Sequence, residues 1–296
     1  MAIVKKEKGS TVKKKTTGGR KEESADAVRF ELPTERTEPK GSIGDYTWLI
    51  MGEKKIGKTS LTAQMGEVLH GMTEPGGKAL SLYEVPLSDW ATFRKMIRAL
   101  KRKRDQYDTV VIDVADRLYP MCDDYVCEKL VIQDLAEEDW GKGWREMKKE
   151  FEREITELLN LGMGVVFISH VQEQEIETRD GRKYDRIMPT MHKRMRELIE
   201  GVVDIWAYYT YDRRRRVLVI LGDDHVSAGH RLEGRFQTAD GKPIRQIDMG
   251  TSAKQGYRNI VDAFHNRYVP TKATDVDDPE QEAPAKKKKM KLRRTV

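Results

Sequence analysis

The chain has 296 residues, of which 38% are hydrophobic and 35% charged, and its mean hydropathy is -0.71. It contains no apolar run of the ~18 residues that a membrane helix needs, and the opening MAIVKKEKGSTVKKK has lysines but no apolar segment of a secretory signal. The net charge of +6 is uneven: residues 1–24 carry +5, residues 285–296 carry +7 and the stretch between them carries −6, which excludes a protein that grips nucleic acid with its whole surface and fits basic arms on an acidic body.

The expected setting is therefore cytoplasmic, with no membrane partner. Residues 1–43 are polar and without periodicity, and are read as a disordered basic arm. Cys122 and Cys127 have no further Cys and no nearby His, a poor set for zinc, and are expected to be reduced thiols. A single domain is expected over 44–269, followed by an acidic-then-basic tail over 270–296.

Within the domain, Tyr46–Met51, Ala79–Tyr83, Thr109–Ile112 and Val165–Ile168 are short apolar runs suited to strands buried on both faces. Helical patterns alternate with them. Ser60–His70 follows the first run. Trp90, Phe93, Ile97 and Leu100 form a stripe behind Ser88 or Asp89 as N-cap. Trp144, Met147, Phe151, Ile155 and Leu158 form another, closed by Gly162. This alternation predicts an α/β fold with a mostly parallel sheet flanked by helices. Near the C-terminus, 203-VDIWAYYTY and 217-VLVIL flank DRRRR and predict an antiparallel hairpin.

The sharpest local signal is 52-GEKKIGKTS-60. Gly52, Glu53, Lys54, Lys55, Ile56, Gly57, Lys58, Thr59 and Ser60 lie between an apolar strand and a helical stretch, the context of a phosphate-binding loop. Glycines let backbone N–H groups turn onto phosphate oxygens, Lys58 would reach the β- and γ-phosphates, and the Thr59 hydroxyl would ligate Mg²⁺. The run 107-YDTVVIDVADRLYP-120 supplies a strand-end carboxylate, Asp113, for the same magnesium; Asp116 is read as a structural cap or supporting group. Position 114 is valine, so the base that prepares water does not follow Asp113 directly. Glu84, closing 79-ALSLYE-84, is the candidate, on a strand expected beside that of Asp113. Ser169 and His170 close 164-GVVFISH-170, placed as a γ-phosphate sensor between the other two strands.

GEKKIGKT, VVIDVADRLY, DWGKGW, VVFISH and 227-SAGHR-231 together resemble the phage-type RecA-like nucleotide-binding ATPases, which include single-strand annealing and recombination proteins. The resemblance spans roughly residues 44–235. It implies a RecA-like P-loop core, ATP and Mg²⁺ as ligands, hydrolysis coupled to single-stranded DNA, homo-oligomers with nucleotide at subunit interfaces, and a bacterial host cell if phage-encoded. A single-strand binding protein or replication partner also belongs to that expectation. By position it implies Lys58 and Thr59 on phosphate and Mg²⁺, Asp113 on Mg²⁺, Glu84 as base and His170 as switch. Arg231 in the AGHR stretch is the candidate positive group for a neighbour's phosphate, with Arg213–Arg216 as rivals.

One feature departs from that pattern. The loop expected after the sensor, 171–190, carries four Lys/Arg against five acids and one aromatic, a poor platform for single strands. Trp140 and Trp144 bracket two glycines and are expected to pack under the domain. Two other readings stay open at this point, a P-loop kinase and a nucleotide-gated, non-hydrolysing DNA-binding scaffold.

Overall fold

A computed structural model describes residues 32–270. The arms read at 1–43 and 270–296 fall largely outside the described residues. The N-terminal boundary shifts, because Ile43 is buried and Ser42 caps a short 3-10 turn over Ile43–Asp45.

The described elements run β1 (Thr47–Gly52), α1 (Lys58–Thr62), β2 (Val68–Met72), β3 (Tyr83–Pro86), α2 (Trp90–Arg102), β4 (Thr109–Asp113), α3 (Leu118–Leu130), α4 (Lys142–Leu159), β5 (Gly164–Ser169), β6 (Val171–Glu177), β7 (Lys183–Pro189), α5 (Lys193–Val202), β8 (Ile205–Asp212), β9 (Arg215–Val219), β10 (Gly229–His230), β11 (Gln246–Asp248) and α6 (Ala253–Phe264). The main sheet has the order β11-β9-β8-β1-β5-β4-β2-β3, with β10 also pairing with β8. From β8 through β3 every neighbour is parallel, while β9, β10 and β11 join antiparallel. The fold is thus α/β, with a mostly parallel sheet, helices on both faces and a C-terminal antiparallel hairpin.

Alternation along β1 explains the two-sided core. Leu49 and Met51 join Trp90, Phe93, Phe151 and Ile155 on one face. Trp48 and Ile50 join Leu61, Val166, Ile260 and Phe264 on the other. Because both faces are covered, the central strands carry apolar side chains in unbroken runs. Asp89 caps α2, its side chain accepting from the Thr92 N–H at 2.7 Å.

Three elements differ from the sequence expectations. The helix expected over Ser60–His70 ends at Thr62, and Val68–Met72 forms β2 instead. Leu61, Met65 and Leu69 have helical spacing, but Gly66 lies at φ 90° and breaks the run. The strand expected over Ala79–Tyr83 begins only at Tyr83. The 171–190 loop is a seven-residue-per-strand hairpin, β6 paired with β7, whose two polar faces hid it from a hydrophobicity pattern.

Trp140 corrects the packing expectation: it is 96% exposed, whereas Trp144 is half-buried with the Arg194 guanidinium 4.7 Å above its ring. The glycine at 143 in DWGKGW has a packing cause, since a Cβ there would collide with the Leu135 carbonyl. The other narrow motif, SAGHR, builds β10, which pairs with Ile205 and Trp206 where β9 does not reach.

Candidate active site

The C-terminal ends of four parallel strands meet at one rim. Register places Met72 beside Asp113, Asp113 beside Ile168, and Met51 beside Ser169. The segment after β1 curls there, with Ile56 buried in the core as its anchor and Gly57 at φ 109° leading into α1. The resulting cleft is about 820 Å³ and holds Lys58, Thr59, Glu74, Asp113 and His170.

Lys58 is buried, and its Nζ donates to the carbonyls of Gly52 at 2.6 Å and Glu53 at 2.8 Å. Burial lowers its pKa to about 8, against the opposing pull of Asp113, Asp116, Glu53 and Glu74. The ammonium is therefore short of compensating negative charge. Thr59 donates its hydroxyl to Asp113 Oδ2 at 2.5 Å. Burial holds the Asp113 carboxyl above its usual range, partly offset by Thr59 and Lys58. The Asp113–Val114 peptide is cis.

His170 bridges the cleft: its Nδ1 lies 3.4 Å from Lys58 Nζ and its Nε2 lies 3.8 Å from Glu74 Oε2. Behind it, Asp116 accepts from Ser169 Oγ at 2.5 Å, the His170 N–H at 3.0 Å and Thr190 Oγ1 at 2.7 Å. Asp116 thus ties the end of β5 to the base of the β6–β7 hairpin, where Val171 pairs with Pro189. A displacement of His170 would be felt at both.

The structure places the carboxylates near this cleft as follows. β5 is hydrogen-bonded to both β1 and β4, where the sensor strand was expected. The strand beside β4 on its other side is β2, however, not the strand of Glu84. Glu84 lies on β3 at the edge, level with His70 and short of the rim. Its side chain is exposed and rests beside Gly77. Glu74, two residues beyond β2, reaches the cleft and His170. Of the two carboxylates, Glu74 is therefore the one that follows the strand beside β4. The sequence does not show this placement, because the start of β2 continues a helical spacing.

Arg231 also lies away from this rim. It follows β10, which pairs with the start of β8, and its guanidinium donates to the Gly201 carbonyl at 3.2 Å. The loop-proximal end of β8, Tyr209 opposite Gly52, is four residues farther on, roughly 13 Å at ~3.3 Å per residue. Arg213–Arg216 sit at the correct end. Arg213 and Arg214 form the two-residue turn between β8 and β9 at φ 48° and φ 80°. Left-handed backbone costs a non-glycine residue roughly 1–2 kcal/mol, so Asn-Gly would close this turn more cheaply.

Residues 45–232 match the AAA domain family, AAA_24. The chain belongs to that family. It is 27% identical over 200 residues to the SPbeta prophage-derived uncharacterized protein YorG of Bacillus subtilis (strain 168), covering 64% of this chain and 59% of that protein. The chain thus spans somewhat under two thirds of that relative. Among solved structures it is similar to a RadB recombinase, with 16% identity, TM-score 0.36 and coverage of 60% of this chain and 80% of that one. It is also similar to the KaiC-like protein PH0186 from Pyrococcus horikoshii OT3, with 11% identity, TM-score 0.38 and coverage of 72% and 89%. No helix among the described residues is long and apolar enough to cross a membrane.

Among the described residues no group of three or more His, Cys, Asp or Glu gathers to hold a metal unaided. Thr59 and Asp113 nevertheless fit magnesium that arrives with phosphates, because that ion takes one or two protein oxygens and completes its shell with phosphate and water. Burial raises the pKa of the Asp113 carboxyl, and a cation beside it would pull in the opposite direction.

Proposed function

We propose that the chain binds and hydrolyses ATP with Mg²⁺ and couples that cycle to single-stranded DNA in phage or bacterial recombination or strand annealing. The observation that carries the hydrolytic part is the convergence of Lys58, Thr59, Asp113, His170 and Glu74 in one cleft at the phosphate loop. Thr59 and Asp113 would hold Mg²⁺, which would supply neutralisation of the phosphate charge. Lys58 exchanges the Gly52 and Glu53 carbonyls for phosphate oxygens, which supply the negative charge that its buried site lacks. Glu74 orients a water in line with the γ-phosphate and accepts its proton as the water oxygen bonds to phosphorus and the bridging bond to ADP breaks, leaving ADP and phosphate. His170, between Lys58 and Glu74, reads the presence of the γ-phosphate and passes it through Asp116 to the β6–β7 hairpin.

Support for the DNA part comes from the charge of the two arms and from the phage-type resemblance, and the curated relative is itself prophage-derived. Arms of this kind would supply salt-sensitive attraction to phosphates. Homo-oligomers remain part of the proposal, with Arg213 and Arg214 better placed than Arg231 to reach a neighbour's phosphate. A single-strand binding protein or replication protein is the proposed further partner, in the cytoplasm of a bacterial cell.

The test is steady-state ATP turnover with and without single-stranded DNA, with Lys58→Ala as the blank. DNA is expected to raise turnover above the DNA-free rate, and removal of residues 1–24 and 285–296 to weaken DNA binding and flatten its salt dependence. Phosphate appearing on an added acceptor rather than in solution would favour a kinase instead. Nucleotide-dependent change of mass without turnover would favour the non-hydrolysing scaffold.

A further inference from the structure

A second cavity lies on the other side of the phosphate loop. It is about 800 Å³, opens beneath the β8–β9 hairpin against α6, and is lined by Arg214, Arg216, Thr251, Gln255, Asn259 and Tyr268 among others. One guanidinium stands between it and the loop. Arg216 lines this cavity, yet its Nη1 lies 3.6 Å from where a Cβ on Gly57 would be, and the Tyr209 hydroxyl lies 3.9 Å from the same point. Its neighbours are already committed: Arg215 pairs with Asp212 and Asp248, and Arg267 with Asp262. Arg216 has no carboxylate partner among the described residues, and its contact with the Gly250 carbonyl is long at 3.4 Å.

The sheet order sets the direction in which a nucleotide must lie. Asp113, His170 and Glu74 all stand on the β5–β4–β2 side of β1, so the reacting terminal phosphate belongs there. The rest of the molecule then leaves the loop on the β8 side, toward Arg216. We propose that the second cavity takes the nucleoside end of the nucleotide, and that Arg216 binds the α-phosphate of the nucleotide held by its own chain. This rests on the phosphate-loop reading above. A volume of about 800 Å³ is within the range of small-ligand sites, roughly 300–1,000 Å³. Its amide, hydroxyl and guanidinium groups suit a sugar and base edge, and its two carboxylates, Asp248 and Asp262, are each paired with an arginine, Arg215 and Arg267. The arginine run is then divided in its work: Arg213 is exposed on a strained turn outside the cavity, while Arg214 and Arg216 line it.

The experiment titrates the full-length chain with two probes, MgADP and magnesium tripolyphosphate, which has phosphates and no nucleoside. Arg216→Ala is expected to weaken MgADP about tenfold or more, as loss of a charged hydrogen bond does, with partial recovery in Arg216→Lys. Thr251→Trp fills the cavity without touching the loop; it is expected to weaken MgADP about tenfold while tripolyphosphate affinity stays within about twofold. Unchanged MgADP affinity in Arg216→Ala and Thr251→Trp overturns the assignment. So does restored hydrolysis on mixing Arg216→Ala with Lys58→Ala, which would place Arg216 at a neighbour's phosphate. Failure of the unaltered chain to bind either probe would instead remove the phosphate-loop reading, and this inference with it.

Discussion

Glu74→Gln is expected to lower ATP turnover by roughly two to four orders of magnitude, the range of a lost general base, while Glu84→Gln leaves it within about twofold of the unaltered rate. The two carboxylates are rivals for one proposed role, and the expectation rests on where the topology places each. A water in line with the γ-phosphate must lie over the rim between the loop and β4. Glu74 lines that space and stands 3.8 Å from His170, whereas Glu84 is on the edge strand, one strand farther out and level with the middle of β2. The substitution keeps side-chain size and the ability to hydrogen-bond but removes the proton acceptor, so nucleotide binding should persist. Single-turnover assays with nucleotide affinity measured in parallel check this. A normal rate in Glu74→Gln with a collapsed rate in Glu84→Gln would return the role to the edge strand.

The reason this residue escaped a sequence reading is instructive about which signals are local. The phosphate loop was legible because its spacing, its preceding strand and its following turn all lie within about twenty residues. Asp113 was legible because β4 is buried on both faces and so reads as an unbroken apolar run. The β8–β9 hairpin was legible from two apolar runs around a short charged turn. β2 failed because 61-LTAQMGEVLHGM-72 satisfies helical spacing as well as a short buried strand does, and only the insertion between β3 and β4 decides the matter. Glu74 inherited that error, since an acid in a loop has no distinguishing pattern until its strand is known. β6–β7 failed for a different reason. Glu173, Glu175 and Glu177 alternate with Gln172, Gln174 and Ile176, so both faces are polar enough to leave no core-facing stripe. Trp140 shows the converse, an indole that composition assigns to the interior but that the turn before α4 exposes to solvent.

Lys58→Met is expected to abolish turnover, by about a thousandfold or more as removal of a principal phosphate-stabilising charge does, and at the same time to stabilise the nucleotide-free fold at neutral pH. The second half follows from the electrostatics of the loop. Burial lowers the Lys58 pKa from 10.5 to about 8, so the unfolded chain holds this proton more tightly than the folded one. Below pH 8 both states carry the charge and the folded state bears its full desolvation cost. Between pH 8 and 10.5 the folded state releases the proton first, and the stability of the unaltered chain rises with pH relative to the variant. The whole shift corresponds to a difference on the order of 3 kcal/mol. Methionine keeps the length of the side chain, and the Gly52 and Glu53 carbonyls it abandons border an open cleft where water can replace the ammonium. The measurement is a pair of denaturant melts, unaltered and Lys58→Met, at pH 7 and at pH 10 without nucleotide or magnesium. The variant should lead at pH 7 and lose most of that lead at pH 10. A lead that is absent at pH 7, or that grows with pH, would mean the ammonium is already satisfied by Asp113 and Glu74, and that the loop is not held open at a cost that phosphate binding relieves.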